Sequence, residues 1–295
     1  MAACSVCVWP GHCGVHSVHY GLVLGNYTIV HVCGCRYIEA IEGRNASVAH
    51  EDRVIAMSLH GSQPDDVWGV IRCAQLVPIC LPTWTLRVYV SSLQQFAVPD
   101  RILTKLRHLG AIIVHVPHSV SSNLPPRYWR LMAADDVHVR YFLQRSAEWR
   151  LSSREAVSVN EWIKMAEESP IGVVHCIRDH PRHSKHPLVA GLWGAQSQRL
   201  RDRLNSNSLI ELAKREAVDL STGDGDFEQK LLESVVWPAV SSAAYCHDSV
   251  SPCDRWKHRY PITVERQGQE FIGQRFNQHH EPISREQQNI TDVKC

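Results

Sequence analysis

No long apolar run occurs anywhere in the sequence. The best candidate, Leu22 to Val32, is broken by Gly25, Asn26, Tyr27, Thr28 and His31. It is too short and too polar to span a bilayer. The first residues also lack the basic start and continuous apolar core of a secretory signal. No membrane segment and no signal peptide are therefore expected, and no compartment is assigned. Charge of one sign is equally scarce: 31 Lys and Arg face 30 Asp and Glu, for a net charge of +1. A nucleic-acid groove needs a clustered basic field, so a nucleic-acid partner is not expected. Internal repeats and low-complexity tracts are missing as well.

What is present suits an ordinary folded domain. Of the 295 residues, 44% are hydrophobic and 21% charged, which excludes the composition of a disordered chain. A chain of this length can bury a sizeable core without covalent staples. Histidine is abundant, at 18 residues. Its protonation would make the protein markedly cationic near pH 6. The 11 cysteines are odd in number. Cys4, Cys7, Cys13, Cys33 and Cys35 crowd the first 35 residues, and the other six are scattered. Scattered cysteines in a domain of this size are expected to be buried thiols. Sequons at Asn26, Asn45 and Asn289 carry little weight without a secretory signal.

The composition changes near residue 50. Before it, Cys, His, Gly and Val follow no clear period. Residues 1–50 are expected to be a peripheral, poorly ordered extension. Cys4-x-x-Cys7 with Cys13, His16, His19, Cys33 and Cys35 keeps zinc open as the alternative.

From residue 51 to 295 the pattern predicts one α/β domain with a central, mostly parallel sheet flanked by helices. Apolar runs predict strands at 53–59, 85–91, 111–116, 139–143 and 172–177. Between them, Val67, Val70, Ile71, Ala74 and Leu76 recur on one face of a helix that opens at Pro64-Asp65-Asp66. Ile102, Leu103, Leu106 and Leu109 do the same over 99–109, ended by Gly110. A helix is also read over 125–134, and Ser152 or Ser153 caps another that runs through Glu167. Further helices are read over 209–217 and 226–236. Leu188 to Gly194 reads as a Gly-flanked apolar segment, and the region from Ser249 as polar and strand-poor. Repeated strand–helix alternation implies parallel strands joined by crossovers.

In such sheets ligands bind beyond the C-terminal ends of the strands. The most informative end follows 139–143 and reads Arg145-Ser146-Ala147-Glu148-Trp149-Arg150-Leu151, with Arg154-Glu155 opening the next helix. This stretch resembles the R-D-x-D-S-R-L turn and R-E helix start of a family of GT-A-like proteins related to glycosyltransferases. Further matches follow in order. They are Ser58-Leu59-His60-Gly61, Trp84 to Val90, Tyr128-Trp129-Arg130 through Asp135-Asp136, and Ile177-Arg178-Asp179-His180-Pro181. Gly191-Leu192-Trp193-Gly194, His247-Asp248-Ser249 and Phe271-Ile272-Gly273-Gln274 complete the series. Together they cover roughly residues 53–276.

The resemblance implies a protein that binds a nucleotide-diphosphate sugar and transfers the sugar to a glycan or other acceptor, in the manner of a hexosyltransferase. It also implies a divalent cation, Mn²⁺ or Mg²⁺, held by the two acids of D-x-D. Those positions here are Ser146 and Glu148, so the pair is degenerate. A hard cation prefers several carboxylate oxygens. Glu148, Ser146 and His247 are the nominated metal ligands. Arg145, Arg150 and Arg178 are nominated for the diphosphate, and Glu228, which stands with Gln229 where the family has a D-Q pair, for contact with an acceptor hydroxyl. Asp179 is nominated as the catalytic base or acceptor contact. Arg145, Glu148, Asp179 and His247 are expected to share one cleft. Asp135 and Asp136 are read as capping or ion-pairing residues, and His175, His180, His183 and His186 as a solvated loop. The rival reading is a catalytically silent GT-A-fold protein that binds a sugar, a nucleotide or a protein partner, and Ser146 in place of an acid is what favours it.

Overall fold

The structure is a computed structural model, and it describes residues 21–24, 27–30, 52–218, 227–256, 258–283 and 290–293. The chain divides into two units, Met1–Val48 and Ala49–Cys295. In the first, β1 (Gly21–Leu24) and β2 (Tyr27–Val30) pair antiparallel, Gly21 with Val30 and Leu24 with Tyr27. The sequence pattern gives no sign of this hairpin. The remainder of the expected N-terminal extension, with its cysteines and histidines, lies outside the described residues.

The second unit holds eight strands. They are β3 (Arg53–Ser58), β4 (Thr85–Val90), β5 (Ile112–His115), β6 (Tyr141–Arg145), β7 (Val174–Arg178), β8 (Leu192–Gln196), β9 (Ala244–Asp248) and β10 (Arg259–Tyr260). They form one sheet in the order β10-β9-β7-β8-β6-β3-β4-β5. Every pairing is parallel except those of β8, which runs antiparallel to both β6 and β7. The α/β class and the mostly parallel sheet are as the sequence predicts. All five predicted strands are present, with ends moved by one or two residues. β8 is what the sequence read only as an apolar segment. No crossover helix separates it from β7, so nothing turns the chain back to run parallel.

Helices supply the crossovers. The helix Pro64–Cys80 starts on Pro64, whose missing N–H costs nothing at that position. It buries all five residues of the expected face. Ser152 caps the helix Ser153–Glu168, its hydroxyl accepting from the Glu155 N–H at 3.2 Å. That helix lays Trp162 against the sheet, stacked on the His175 ring at 5.0 Å and 7°. The indole N–H donates to the Gly172 carbonyl at 2.9 Å, which satisfies the buried polar atom. On the other face Phe142 and Trp193 meet edge-to-face at 5.2 Å within the larger core cluster. The expected helix 226–236 is longer and irregular: α-helix over Phe227–Leu231, a π turn over Leu232–Val236, then Trp237–Val240.

Two sequence readings are corrected here. Cys176 and Cys246, register partners on β7 and β9, form a disulfide with Cα atoms 4.6 Å apart, so these two are not thiols. Cys73 and Cys80 are buried thiols. Of the histidines read as a solvated loop, His175, His180 and His183 are buried. His186 alone is exposed enough to fit that reading, and it contacts Glu233 at 2.6 Å. Burial lowers the pKa of His183 to about 3 and that of His175 well below the usual range. These two rings therefore stay neutral near pH 6. Asp135 accepts from the Ser208 hydroxyl and the Leu209 and Ile210 N–H groups at the start of the helix Leu209–Val218. Asp136 pairs with Arg87 at 2.6 Å. Both behave as the capping and pairing residues expected of them. No helix among the described residues is long and apolar enough to cross a membrane.

Candidate functional site

The parallel strands β3, β6, β7 and β9 all end along one edge of the sheet, so Ser58, Arg145, Arg178 and Asp248 lead into the loops of that edge. The site divides into two clusters, one at the exit of β6 and one at the exits of β7 and β9.

At the β6 exit Arg145 is only 2% exposed. Its Nε donates to Glu155 Oε1 at 2.5 Å, and Nη1 donates to the Gln144 and Trp193 carbonyls at 2.6 and 3.1 Å. This pair fastens the strand end to the first turn of the helix Ser153–Glu168. Ser146 comes next. Arg130 Nη1 lies 3.4 Å from its hydroxyl, and Arg130 Nη2 donates to Glu228 Oε2 at 2.6 Å. Ser146 and Glu228, nominated for different tasks, are thus brought together by an arginine that was nominated for none. Gly191 closes the cluster at φ +73°, where an added Cβ would sit 2.5 Å from the Ser146 Oγ. A side chain there would meet both a strained backbone and a collision.

Glu148 pairs with Arg275, Nε to Oε1 at 3.1 Å. Asp66, in the first turn of the helix Pro64–Cys80, has its pKa raised by burial and then by Glu148. Arg150 donates from Nη1 to the Glu148 and Trp149 carbonyls at 3.0 and 3.2 Å and lies 5.3 Å from the Phe276 ring centroid. Burial, with Arg72 adding to it, lowers its pKa to about 10. The loop presses on the helix at Gly69, where a Cβ would overlap the Ala147 carbonyl. Arg145, Trp149, Arg150 and Glu155 pack together with Met57, Cys73, Leu151 and Gly273, leaving no room for a water molecule between them.

In the second cluster Asp179, Arg178 and His247 each have a partner. Asp179 is fully buried. It accepts from Arg154 at 2.9 and 2.8 Å, Arg266 at 2.6 Å, the Ser249 hydroxyl at 2.6 Å and the Ile272 N–H at 2.9 Å. Arg178 pairs with Asp248 at 3.2 Å and lies 4.7 Å from the Trp256 ring centroid. Burial lowers its pKa to about 10. His247 meets His175 at 2.8 Å through Nδ1 and Glu161 at 2.9 Å through Nε2. The His247 hydrogen bond holds the Glu161 carboxyl below its usual range.

Arg145, Glu148, Asp179 and His247 thus share no partner, and each is engaged in its own network. The nominated metal ligands do not fit a divalent cation. Among the described residues no group of three or more His, Cys, Asp or Glu side chains could hold a metal ion. Glu148 faces Arg275, Ser146 faces Arg130, and both ring nitrogens of His247 are occupied. Sequence reasoning passed over Arg130, Arg154, Glu155 and Arg266. The available signals were the R-E helix opening, which supplies Glu155 to Arg145 and Arg154 to Asp179, and the Tyr128-Trp129-Arg130 match, which supplies Arg130.

No protein-family model matches the chain, and no curated protein matches it. Solved structures with a similar course of chain include a glycosyltransferase involved in glycosylation of the major capsid of PBCV-1. It shares 11% identity at a TM-score of 0.42, over 66% of this chain and 81% of that one. The galactosyltransferase LgtC, in complex with donor and acceptor sugar analogs, shares 10% identity at a TM-score of 0.44, over 66% of this chain and 73% of that one. Core-mannan synthase A from Aspergillus fumigatus, in its Mn/GDP form, shares 7% identity at a TM-score of 0.40, over 84% of this chain and 93% of that one. At these values the likeness concerns the general course of the chain and not its site residues.

Proposed function

We propose that this chain binds a nucleotide-diphosphate sugar at the C-terminal edge of the sheet without a divalent cation, and that it does not transfer the sugar. The observation that carries this is the pairing of every nominated carboxylate. Glu148, Asp179 and Glu228 each face an arginine at 3.1, 2.6 and 2.6 Å. A cation site requires several free oxygen ligands, and a general base requires a free acceptor within reach of its proton. Asp179 and Glu228, held by buried guanidinium groups, and Glu148, held by the exposed Arg275, are each already engaged by a cation. Arginine is suited to a diphosphate in place of a metal, because its planar fork matches phosphate oxygens. The sequence resemblance to GT-A-like proteins supplies the ligand class.

The test is a thermal-shift panel of nucleotide sugars, each with Mn²⁺, with Mg²⁺ and with EDTA. Ligand binding to the native state raises its apparent stability. At least one nucleotide sugar is expected to raise the melting temperature equally in all three conditions, with no release of free nucleoside diphosphate on long incubation. Stabilisation that vanishes in EDTA, or turnover of the donor, would overturn the reading.

A further inference from the structure

We propose that the sheet edge at β5 (Ile112–His115) is an interaction surface that takes an extended, acidic segment of a partner protein as an added strand. The inference stands apart from what binds at the C-terminal ends of the strands.

β5 ends the strand order, so one side of it has no neighbouring strand among the described residues. Its pairing with β4 shows which groups stand on that side. The Val116 N–H donates to the Val90 carbonyl at 2.8 Å. Backbone groups alternate in direction along a strand, so those of Ile112 and Val114 also face β4. The N–H and C=O groups of Ile113 and His115 point the other way. These two donors and two acceptors form the kind of ladder edge that an extended peptide adds to.

Folded proteins usually blunt such an edge with a charge, a proline, a bulge or a very short strand. The opposite edge is blunted: β10 is two residues long, and Arg259 turns back to the Asp248 and Val293 carbonyls at 3.0 and 2.9 Å. β5 uses none of these devices. Its register with β4 is unbroken, and Ala111 to Val116 holds no proline and no Lys, Arg, Asp or Glu. Val114 packs against the larger core cluster. Ile112, two residues earlier and so on the same face, is 37% exposed and offers an apolar contact to an incoming side chain.

Charge selects the occupant. The helix Asp100–His108 packs against β5 and leads into it. It buries Leu103 and Leu106, while Arg101, Lys105, Arg107 and His108 are exposed. Arg101, Lys105 and His108 recur at i, i+4 and i+7, along one side of the helix. None of the four makes an ion pair among the described residues. Residues 99–118 hold three Lys or Arg and the single acid Asp100, so this short segment is more positive than the whole chain at +1. A second copy is the poorer occupant. Antiparallel pairing of two β5 edges would set both basic helices on one face of the joined sheet, like charge beside like. An acidic strand answers both the ladder and the charge.

The probe is a fluorescein-labelled octapeptide of alternating Glu and Val, read by fluorescence anisotropy on the full chain. Saturable binding is expected, weakened by added salt. Two control peptides are expected not to bind: one with Lys in place of Glu, and one N-methylated at its two central residues, which keeps the charge and blocks both edges. Bound peptide is expected to slow hydrogen exchange over 111–116. The double variant Arg101→Glu, Lys105→Glu is expected to weaken binding at least about tenfold, as loss of two charge contacts does, with its melting temperature unchanged. Lys185→Glu, an exposed cation in the loop after β7, is expected to bind like wild type. The proposal is overturned if the Glu peptide binds no better than either control, or if the double variant binds it like wild type. A dimer in sedimentation velocity whose formation protects 111–116 would give the edge to a second copy and overturn it equally.

Discussion

The exits of β6 and β7 look alike in sequence and differ in physics. Each strand ends on an arginine followed by a polar residue, Arg145-Ser146 in one and Arg178-Asp179 in the other. At β7 the charges are closed. Asp179 accepts from two arginines, a serine and a backbone N–H, and Arg178 has Asp248. At β6, Arg145 pairs with Glu155, while Arg150 donates to two backbone carbonyls and faces a ring, with no ion pair among the described residues. A saturated buried network holds elements together, since every member depends on the others. An unsaturated one leaves something for a ligand to do. Equal burial and equal residue types therefore give no guide to role. The partners that each charge meets do.

The comparison breaks most visibly at Asp179. Asp179→Ala would leave Arg154 and Arg266 with Asp292, which pairs with them at 3.2 and 2.7 Å, in place of two acids, and is expected to cost about 3 kcal/mol in chemical denaturation, the low end of what breaking a buried pair costs. A loss below about 1 kcal/mol would remove the idea that this network is structural.

Acid comes next. His175, on β7, and His183, in the loop after it, have folded-state pKa values below the unfolded value near 6.5. Their neutral forms therefore contribute stability that is fully present above pH 6.5. It is lost as pH falls, because only the unfolded state then takes up the protons. Each should contribute about 1.4 kcal/mol per pH unit on the acid side. Denaturation midpoints between pH 6.5 and 5 should fall accordingly, and His183→Leu should make the fall shallower by one proton's share.

At the β6 exit the stability effect is smaller. Arg150→Gln removes no ion pair among the described residues and costs two hydrogen bonds to backbone carbonyls. It is expected to change stability by no more than about 0.5–1 kcal/mol in either direction. A loss as large as that of Asp179→Ala would erase the distinction between the two exits.

The smallest effect is expected from Ser146→Asp. In a metal-binding turn this change would restore an oxygen ligand. Here the new carboxylate would meet Arg130, already 3.4 Å from the serine hydroxyl. Mn²⁺ affinity, measured by calorimetry, should stay where it was. A gain of tenfold or more would restore the metal reading.

The sequence by itself determined the α/β class, the parallel strands and the helix faces. Periodicity is a local property that each segment carries in its own residues: Val67, Val70 and Ile71 declare a buried face before any partner is known. It also pointed to the strand-end loops as the candidate ligand edge, because direction of the chain fixes which ends face which way. Tertiary structure decided the rest. Antiparallel β8 depends on a neighbour contributed by β6, and the Cys176–Cys246 bond depends on β9 falling into register with β7. The fate of each charge was decided the same way. Nothing local to Asp179 announces Arg266, and nothing local to Ser146 announces Arg130 and Glu228. Such pairings join residues 87, 16 and 98 positions apart. They appear only when packing removes water from both partners at once, and that removal separates a carboxylate free to bind a ligand from one already spoken for.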